Sequence, residues 1–344
     1  MTYSKILVTG ALGWLGSRLV QTLCRESTDL LCSLPIRCLA LAGQDNSALS
    51  SVSPRIEFVS GDIRYSTDCE RFCTEAKGAV LFHTAGIVHP RRTRAFYEVN
   101  LDGTIRLLDA AIHAGVKRAV IVSSNSPCGC NPHPDHLFDE LSPYHPYLSY
   151  GRSKMLMEHA ALERADQIEI VIIRAPWFYG PNQPPRQTVF FKMVRDGKVP
   201  IVGSGRNLRS MAYLDNLCQS LVLAANKEAA KGRIYWIADE RPYSMNEIID
   251  TIERLLENEF GQKCAHKRLR LPGFAGTLAY CADAALQALG IYHQKIHVLS
   301  EMNKTIACSV KRAESELGYK PKVALEEGMR RSLRWCFETG ALPN

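Results

Sequence analysis

The 344-residue sequence has no run of about 18 uncharged apolar residues, so a membrane-spanning helix is not expected. It begins Met1-Thr2-Tyr3-Ser4-Lys5 and passes straight into a strand-like run. The basic start, apolar stretch and small-residue cleavage site of a secretory leader are missing, so the expectation is a cytoplasmic protein. No internal repeat or low-complexity segment appears. The formal charge of +7 is mild. The clusters Arg91-Arg92-Thr93-Arg94 and His266-Lys267-Arg268-Leu269-Arg270 carry no interleaved aromatics, so they read as solvated faces, and no nucleic-acid partner is expected. Cysteine is plentiful, at 12 residues, but scattered along a long chain without a leader, which points to reduced thiols. Cys128 and Cys130, with His133 and His136, lack the spacing of a zinc finger or ribbon, so no metal is expected.

The first two-thirds of the chain alternate short apolar runs with helical patterns. Strands are expected at Lys5–Thr9, Ile36–Leu41, Ile56–Val59, Ala79–His83, Ala119–Ser123, Ile168–Arg174 and Arg233–Ile237. Several are apolar throughout, as strands covered on both faces of a parallel sheet are. Helices are expected between them, including Leu15–Cys24, Leu101–Ala114 and Arg152–Ala165. The alternation gives an α/β fold, a doubly wound parallel sheet with right-handed crossovers. Prolines 176, 181, 184 and 185 then break the pattern. The expected division is a nucleotide-binding domain at 1–175 with a return segment about 205–240, and a smaller mixed substrate lobe at 176–204 and 241–344.

Thr9-Gly10-Ala11-Leu12-Gly13-Trp14-Leu15-Gly16 follows the first strand and opens a helix, with its glycines three apart. Gly10 permits a tight turn, Gly13 lets the backbone approach a pyrophosphate, and Gly16 lets the helix pack close on the strand. Bare amides at the helix start then face the phosphates. This makes the sheet Rossmann-type and the cofactor NAD(H) or NADP(H). After the second strand stand Leu41, Ala42, Gly43 and Gln44, neither an acid for NAD nor an arginine for NADP, so the preference stays open. Asp62, in Gly61-Asp62-Ile63, is the candidate for the adenine amino group.

Tyr150 and Lys154 stand four apart at the head of a helical pattern, hence on one helix face. An ammonium one turn away favours the phenolate and equips the tyrosine to exchange a proton with a substrate hydroxyl. Ser124, at the end of a buried strand, suits the same substrate oxygen.

These pieces, with His83-Thr84-Ala85-Gly86, Val99–Thr104, Arg174–Pro181 and Arg209–Asn216, resemble the extended short-chain dehydrogenases/reductases. The nearer branch holds the NAD-dependent epimerases/dehydratases and 3β-hydroxysteroid dehydrogenases. The resemblance implies catalysis by Ser124, Tyr150 and Lys154, with Asn100 ordering the active-site helix. It implies a cofactor site of Gly10, Leu12, Gly13, Trp14, Leu15, Gly16, Leu41, Asp62, Ile63, Thr84, Ala85, Gly86, Val122 and Pro176, completed by Tyr150 and Lys154. It also implies a homodimer through the helices at 101–114 and 152–165.

The dehydratases follow their active-site hydroxyl residue with Asp and Glu. Here Asn125 and Ser126 follow Ser124, so water elimination is not expected. Arg209 aligns with an arginine that sugar epimerases use on the substrate diphosphate, which favours a nucleotide-activated sugar. Trp177 stands where those enzymes commonly place an asparagine. An indole offers an apolar wall, as does the nearly uncharged stretch 273–291, which reads as core, lid, or a helix on a membrane surface. Both keep a steroid-like or flavonoid-like ketone or alcohol open. A non-catalytic dinucleotide sensor is the third reading.

Overall fold

The computed structural model describes residues 1–25 and 30–342. Seven strands form one parallel sheet: β1 (Ile6–Thr9), β2 (Ile36–Ala40), β3 (Ile56–Ser60), β4 (Val80–His83), β5 (Arg118–Ser123), β6 (Glu169–Arg174) and a last strand at Arg233–Trp236. The order across the sheet is Arg233–Trp236, β6, β5, β4, β1, β2, β3. Every pairing is parallel.

The side-chain period of two divides the core. Ile6, Val8, Val80, Phe82 and Val120 face one layer, and Leu7, Leu81, Ala119 and Ile121 face the other. Because both faces are covered by helices, these strands carry no polar alternation. The chain runs outward from β1 through β2 to β3, then returns to lay β4 on β1's other side. A crevice opens at such a reversal, outside the strands' C-terminal ends, where Thr9 and His83 stand opposite each other.

A separate apolar cluster packs the helices Met245–Phe260 and Leu325–Glu338 through Ile248, Ile252, Leu256, Met329 and Leu333. Three two-stranded sheets pair Trp177–Tyr179 with Met211–Tyr213, Leu208–Arg209 with Tyr243–Ser244, and Pro200–Val202 with Leu269–Leu271. Among the described residues no helix is long and apolar enough to cross a membrane. The described cysteines are all free, and Cys32 lies outside the described side chains.

Two helices depart from the expected spans. A π-helical stretch, Tyr97–Gly103, precedes Thr104–His113. The helix expected at Arg152–Ala165 is Leu148–Leu162 and begins four residues before Arg152. Gly151 weakens the helical pattern there, but close packing demands it. A Cβ on Gly151 would lie 2.4 Å from the carbonyl oxygen of Ser126, so tertiary contact overrides propensity. Leu148 opens the helix with φ +52°, a strained value for a branched side chain beside the site.

Candidate functional site

The glycine loop leaves no room for side chains. Gly10 has φ +68°, and a Cβ there would sit 2.7 Å from the amide nitrogen of Ala85. A Cβ on Gly16 would sit 2.1 Å from the carbonyl oxygen of Gly10. The amide of Gly13 closes the turn on that same oxygen at 2.9 Å. Leu12, Gly13 and Trp14 line an open cleft of about 460 Å³ with Ser17, Asp45 and Asn182. The Trp14 indole donates to the Pro181 carbonyl at 2.7 Å and ties the loop to the segment after β6. Leu15 is buried in the core and contributes only backbone. A bare-amide cradle that any Cβ would fill fits a dinucleotide pyrophosphate. Gly16→Ala is therefore expected to weaken NAD(H) or NADP(H) binding by roughly tenfold or more, read by tryptophan quenching, since the loop must move by more than a tolerable contact. Gly273→Ala, with open space around it, is the matched control and should bind normally.

At the β1–β4 seam, His83 is buried between two threonines. Its Nδ1 meets Thr9 Oγ1 at 2.7 Å and its Nε2 meets Thr104 Oγ1 at 2.8 Å. The Thr104 hydroxyl donates to the Asn100 carbonyl at 2.7 Å, which leaves it to accept from Nε2–H. Nδ1 is then the acceptor, and the imidazole is neutral. Burial first, and the nearby Lys154 charge second, push the His83 pKa down to about 3 from 6.5. Unfolding frees this histidine to take a proton between those values, so the unfolded state binds more protons in that window. Stability is expected to fall as pH drops from about 6.5 toward 3. Replacing His83 with Asn should flatten that limb in urea titrations, and an unchanged slope would show that the acid sensitivity arises elsewhere.

Asn100 joins the loop after β4 to the active-site helix. Its Oδ1 accepts from the Ile87 amide at 2.8 Å, and its Nδ2 donates to the Ile87 carbonyl at 3.0 Å and to Ser153 Oγ at 3.3 Å. Ser153 Oγ in turn donates to the Tyr150 carbonyl at 2.8 Å. The Thr84 hydroxyl donates to the Thr9 carbonyl at 2.7 Å, fixing Thr84-Ala85-Gly86 against the glycine loop.

Ser124 follows β5 directly and is buried. The half-buried Tyr150 ring lies 5.5 Å from the Phe96 ring. Burial raises the Tyr150 phenol above its usual range. A hydrogen bond with Ser124 and the Arg186 charge pull it down, and Glu301 pushes it up. Lys154 Nζ donates to the Val122 carbonyl at 2.8 Å. Burial lowers its pKa to about 8, against the pull of Glu158 one turn along. Glu158 is the buried anchor of this helix. It takes hydrogen bonds from Ser123 at 2.5 Å and Tyr144 at 2.8 Å, and an ion pair from Arg174 at 2.7 Å.

The remaining expected residues divide. Trp177, just past Pro176, is half-buried, with its ring 5.7 Å from Phe190 and its backbone paired with Met211. Arg209 sits two residues before that pairing, and its Nε is buried without a hydrogen-bond partner among the described residues. Leu41 is exposed at the end of β2. The Ile63 side chain is buried against Gly103, and its carbonyl accepts from Cys69 Sγ at 3.4 Å. The Asp62 carboxylate is held by Arg64 at 2.6 Å. Among the described residues, no group of three or more potential ligands gathers into a metal site, and His136 meets Asn131 at 3.0 Å.

Sequence reasoning missed Arg186, Glu301 and His89. Arg186 opens the helix Pro185–Arg195 as a cation at the positive end of the dipole, an unfavourable choice that is itself a signal. His89 Nδ1 and the Tyr292 hydroxyl lie 2.8 Å apart, the Tyr292 ring packs on Phe96, which packs on Tyr150, and burial lowers the His89 pKa to about 4. Asp45, at the lip of the cleft, was also passed over.

Residues 6–238 match the NAD dependent epimerase/dehydratase family. The chain is 53% identical over 342 residues to an uncharacterized protein, y4nL, of Sinorhizobium fredii, covering 97% of this chain and 96% of that one. It is 25% identical to N-acetyl-alpha-D-glucosaminyl-diphospho-ditrans,octacis-undecaprenol 4-epimerase of Escherichia coli O157:H7, covering 96% and 95%. Its fold superposes on UDP-glucose 4-epimerase from Thermotoga maritima with a TM-score of 0.77 at 20% identity, covering 97% and 99%. The glycine cradle, the strand-end serine and the Tyr150–Lys154 helix turn thus belong to an NAD(P)-dependent enzyme of the extended short-chain type, a member of the NAD dependent epimerase/dehydratase family.

Proposed function

We propose that this enzyme carries out redox chemistry, as an epimerase or reductase, at a hydroxyl-bearing carbon of a nucleotide-activated sugar. A dinucleotide held against the Gly10–Gly16 loop would supply the hydride chemistry. Tyr150 Oη exchanges the proton of the substrate hydroxyl, and Ser124 Oγ holds that oxygen beside it. Lys154 below its pKa of about 8 carries a positive charge one turn away, which favours the phenolate. Asn100 acts through Ser153 and the helix backbone rather than on the substrate. Asn125 and Ser126 supply neither the acid nor the base that water elimination needs.

The observation that carries the sugar-diphosphate reading is the buried, orphaned Nε of Arg209. A buried donor without an acceptor is costly, and a guanidinium pairs with a phosphate through two of its N–H groups, Nε–H among them. The Escherichia coli relative acts on a diphosphate-linked sugar. Arg209→Ala is expected to weaken UDP, GDP or dTDP binding about 10- to 100-fold in titration calorimetry, the equivalent of one charged hydrogen-bond set. Equal affinity in the variant, or no nucleoside-diphosphate binding by the parent protein, sinks the reading.

The aromatic wall of Trp177 and Phe190 favours a second reading, an apolar ketone or alcohol. That reading requires Arg209→Ala to leave substrate affinity unchanged, so the same titration separates the two.

A further inference from the structure

The helix Phe274–Ala288 is turned inside out. Its buried positions are Gly276, Ala279, Asp283 and Gln287. Phe274, Leu278, Cys281, Ala282 and Ala285 face outward, continued by Leu289. This spacing draws one stripe along a helix face. Phe274 is 65% exposed, Leu278 62% and Leu289 77%. An ordinary surface helix faces the other way, and a continuous exposed apolar stripe marks an interaction surface.

The inward polar face is built, not accidental. Asp283 Oδ2 pairs with His297 Nδ1 at 2.7 Å, and Gln287 Nε2 donates to Asp283 Oδ1 at 2.9 Å. Gln287 Oε1 accepts from the Ser149 amide at 3.1 Å, one residue before Tyr150. The polar partners lock the helix onto the active-site helix, so the apolar stripe cannot roll inward.

The exposed charges of the segment that carries the stripe have one sign. Between Lys267 and Ser300 the only acid is Asp283, which is fully buried. Exposed Lys267 and Arg270 stand before the helix and exposed Lys295 after it. The Thr93 amide donates to the Gly290 carbonyl, and the Tyr292 amide to the Arg91 carbonyl, both at 3.1 Å. These bonds bring exposed Arg91 and Arg92 to the stripe's far end.

We propose that this face seats the enzyme on an anionic lipid bilayer, with the helix lying in the interface plane beside the catalytic crevice. Apolar side chains enter the headgroup boundary while the flanking cations meet lipid phosphates. A second copy of the chain fits the face poorly. A two-fold contact sets a patch against itself, so the segment's own cations would meet cations. The inference concerns docking alone and does not depend on which substrate the site takes.

The test is co-sedimentation of the full chain with vesicles of phosphatidylcholine and phosphatidylglycerol in equal parts, against phosphatidylcholine alone. The protein is expected to pellet with the anionic vesicles and to be released by high salt. Phe274→Glu/Leu278→Glu should lower partition at least about tenfold, and each of Arg91→Gln and Arg270→Gln about fivefold. Thermal unfolding checks that the variants fold, and the arginine variants stand even if the double substitution does not. The proposal is overturned if the parent protein ignores anionic vesicles or if the variants bind as it does. It is equally overturned if light scattering shows a dimer that Leu278→Glu splits while no vesicle binding occurs.

Discussion

Replacing Tyr150 with phenylalanine is expected to lower turnover about 10²- to 10⁴-fold, the usual weight of one positioned acid/base. Dinucleotide affinity and thermal stability should stay close to those of the parent protein. The substitution removes one oxygen and leaves the ring against Phe96 at 5.5 Å, so the pocket keeps its shape. What disappears is the hydrogen bond with Ser124 and the group whose ionisation Arg186 and Ser124 favour and burial opposes. Pre-steady-state and steady-state rates on the same substrate, with a cofactor titration alongside, separate loss of chemistry from loss of binding. Full activity in Tyr150→Phe would contradict the assignment of the acid/base, whereas a biological role untouched by the substitution, with no turnover by the parent protein, would favour the sensor reading.

The second large effect lies one shell back. Arg174→Met leaves Glu158 buried and without its cation, and is expected to cost about 3–5 kcal/mol in urea or thermal unfolding. Both side chains of this pair are almost wholly buried, at 2% and 0% exposure. The guanidinium also lies 5.0 Å from the Tyr144 ring centre and 5.5 Å from that of Trp236. The discriminating variant is the double substitution Arg174→Met/Glu158→Met. Removing both charges leaves neither member of the pair as an unpaired ion, so much of the lost stability should return, less what Lys154 loses with the Glu158 charge. If the double variant is as unstable as the sum of the singles, the pair acts through shape and not charge. Because Glu158 sits one turn beyond Lys154, activity should follow stability in the single variant.

The sheet was legible because burial on both faces writes itself into the residues. β1 and β4 are apolar at nearly every position, and the chain has no cheaper way to bury such runs. The glycine loop was legible because only glycine fits where a Cβ would meet the Gly10 carbonyl at 2.1 Å. The start of the active-site helix was not. Gly151 reads locally as a weak helix former, and its reason lies across the fold at Ser126. Arg186 and Glu301 act on Tyr150 from helices far away in sequence, and His89 bonds Tyr292 across a similar distance, where no local spacing marks them. The stretch 273–291 is the clearest case of ambiguity. Its low charge left core, lid and surface helix all open, because the choice of buried face depended on Asp283, Gln287 and His297 finding one another. A hydrophobic pattern alone predicts the opposite orientation.

The central claim is that Ser124, Tyr150 and Lys154 act on a sugar carried by a nucleoside diphosphate. The most direct measurement incubates the enzyme with NAD(H) or NADP(H) and a panel of UDP-, GDP- and dTDP-sugars, following products by NMR and binding by thermal shift. At least one sugar should be converted, with the change confined to a hydroxyl-bearing carbon, and its thermal shift should vanish in Arg209→Ala. No conversion and no thermal shift across the panel, together with turnover of a steroid or flavonoid ketone, would contradict it.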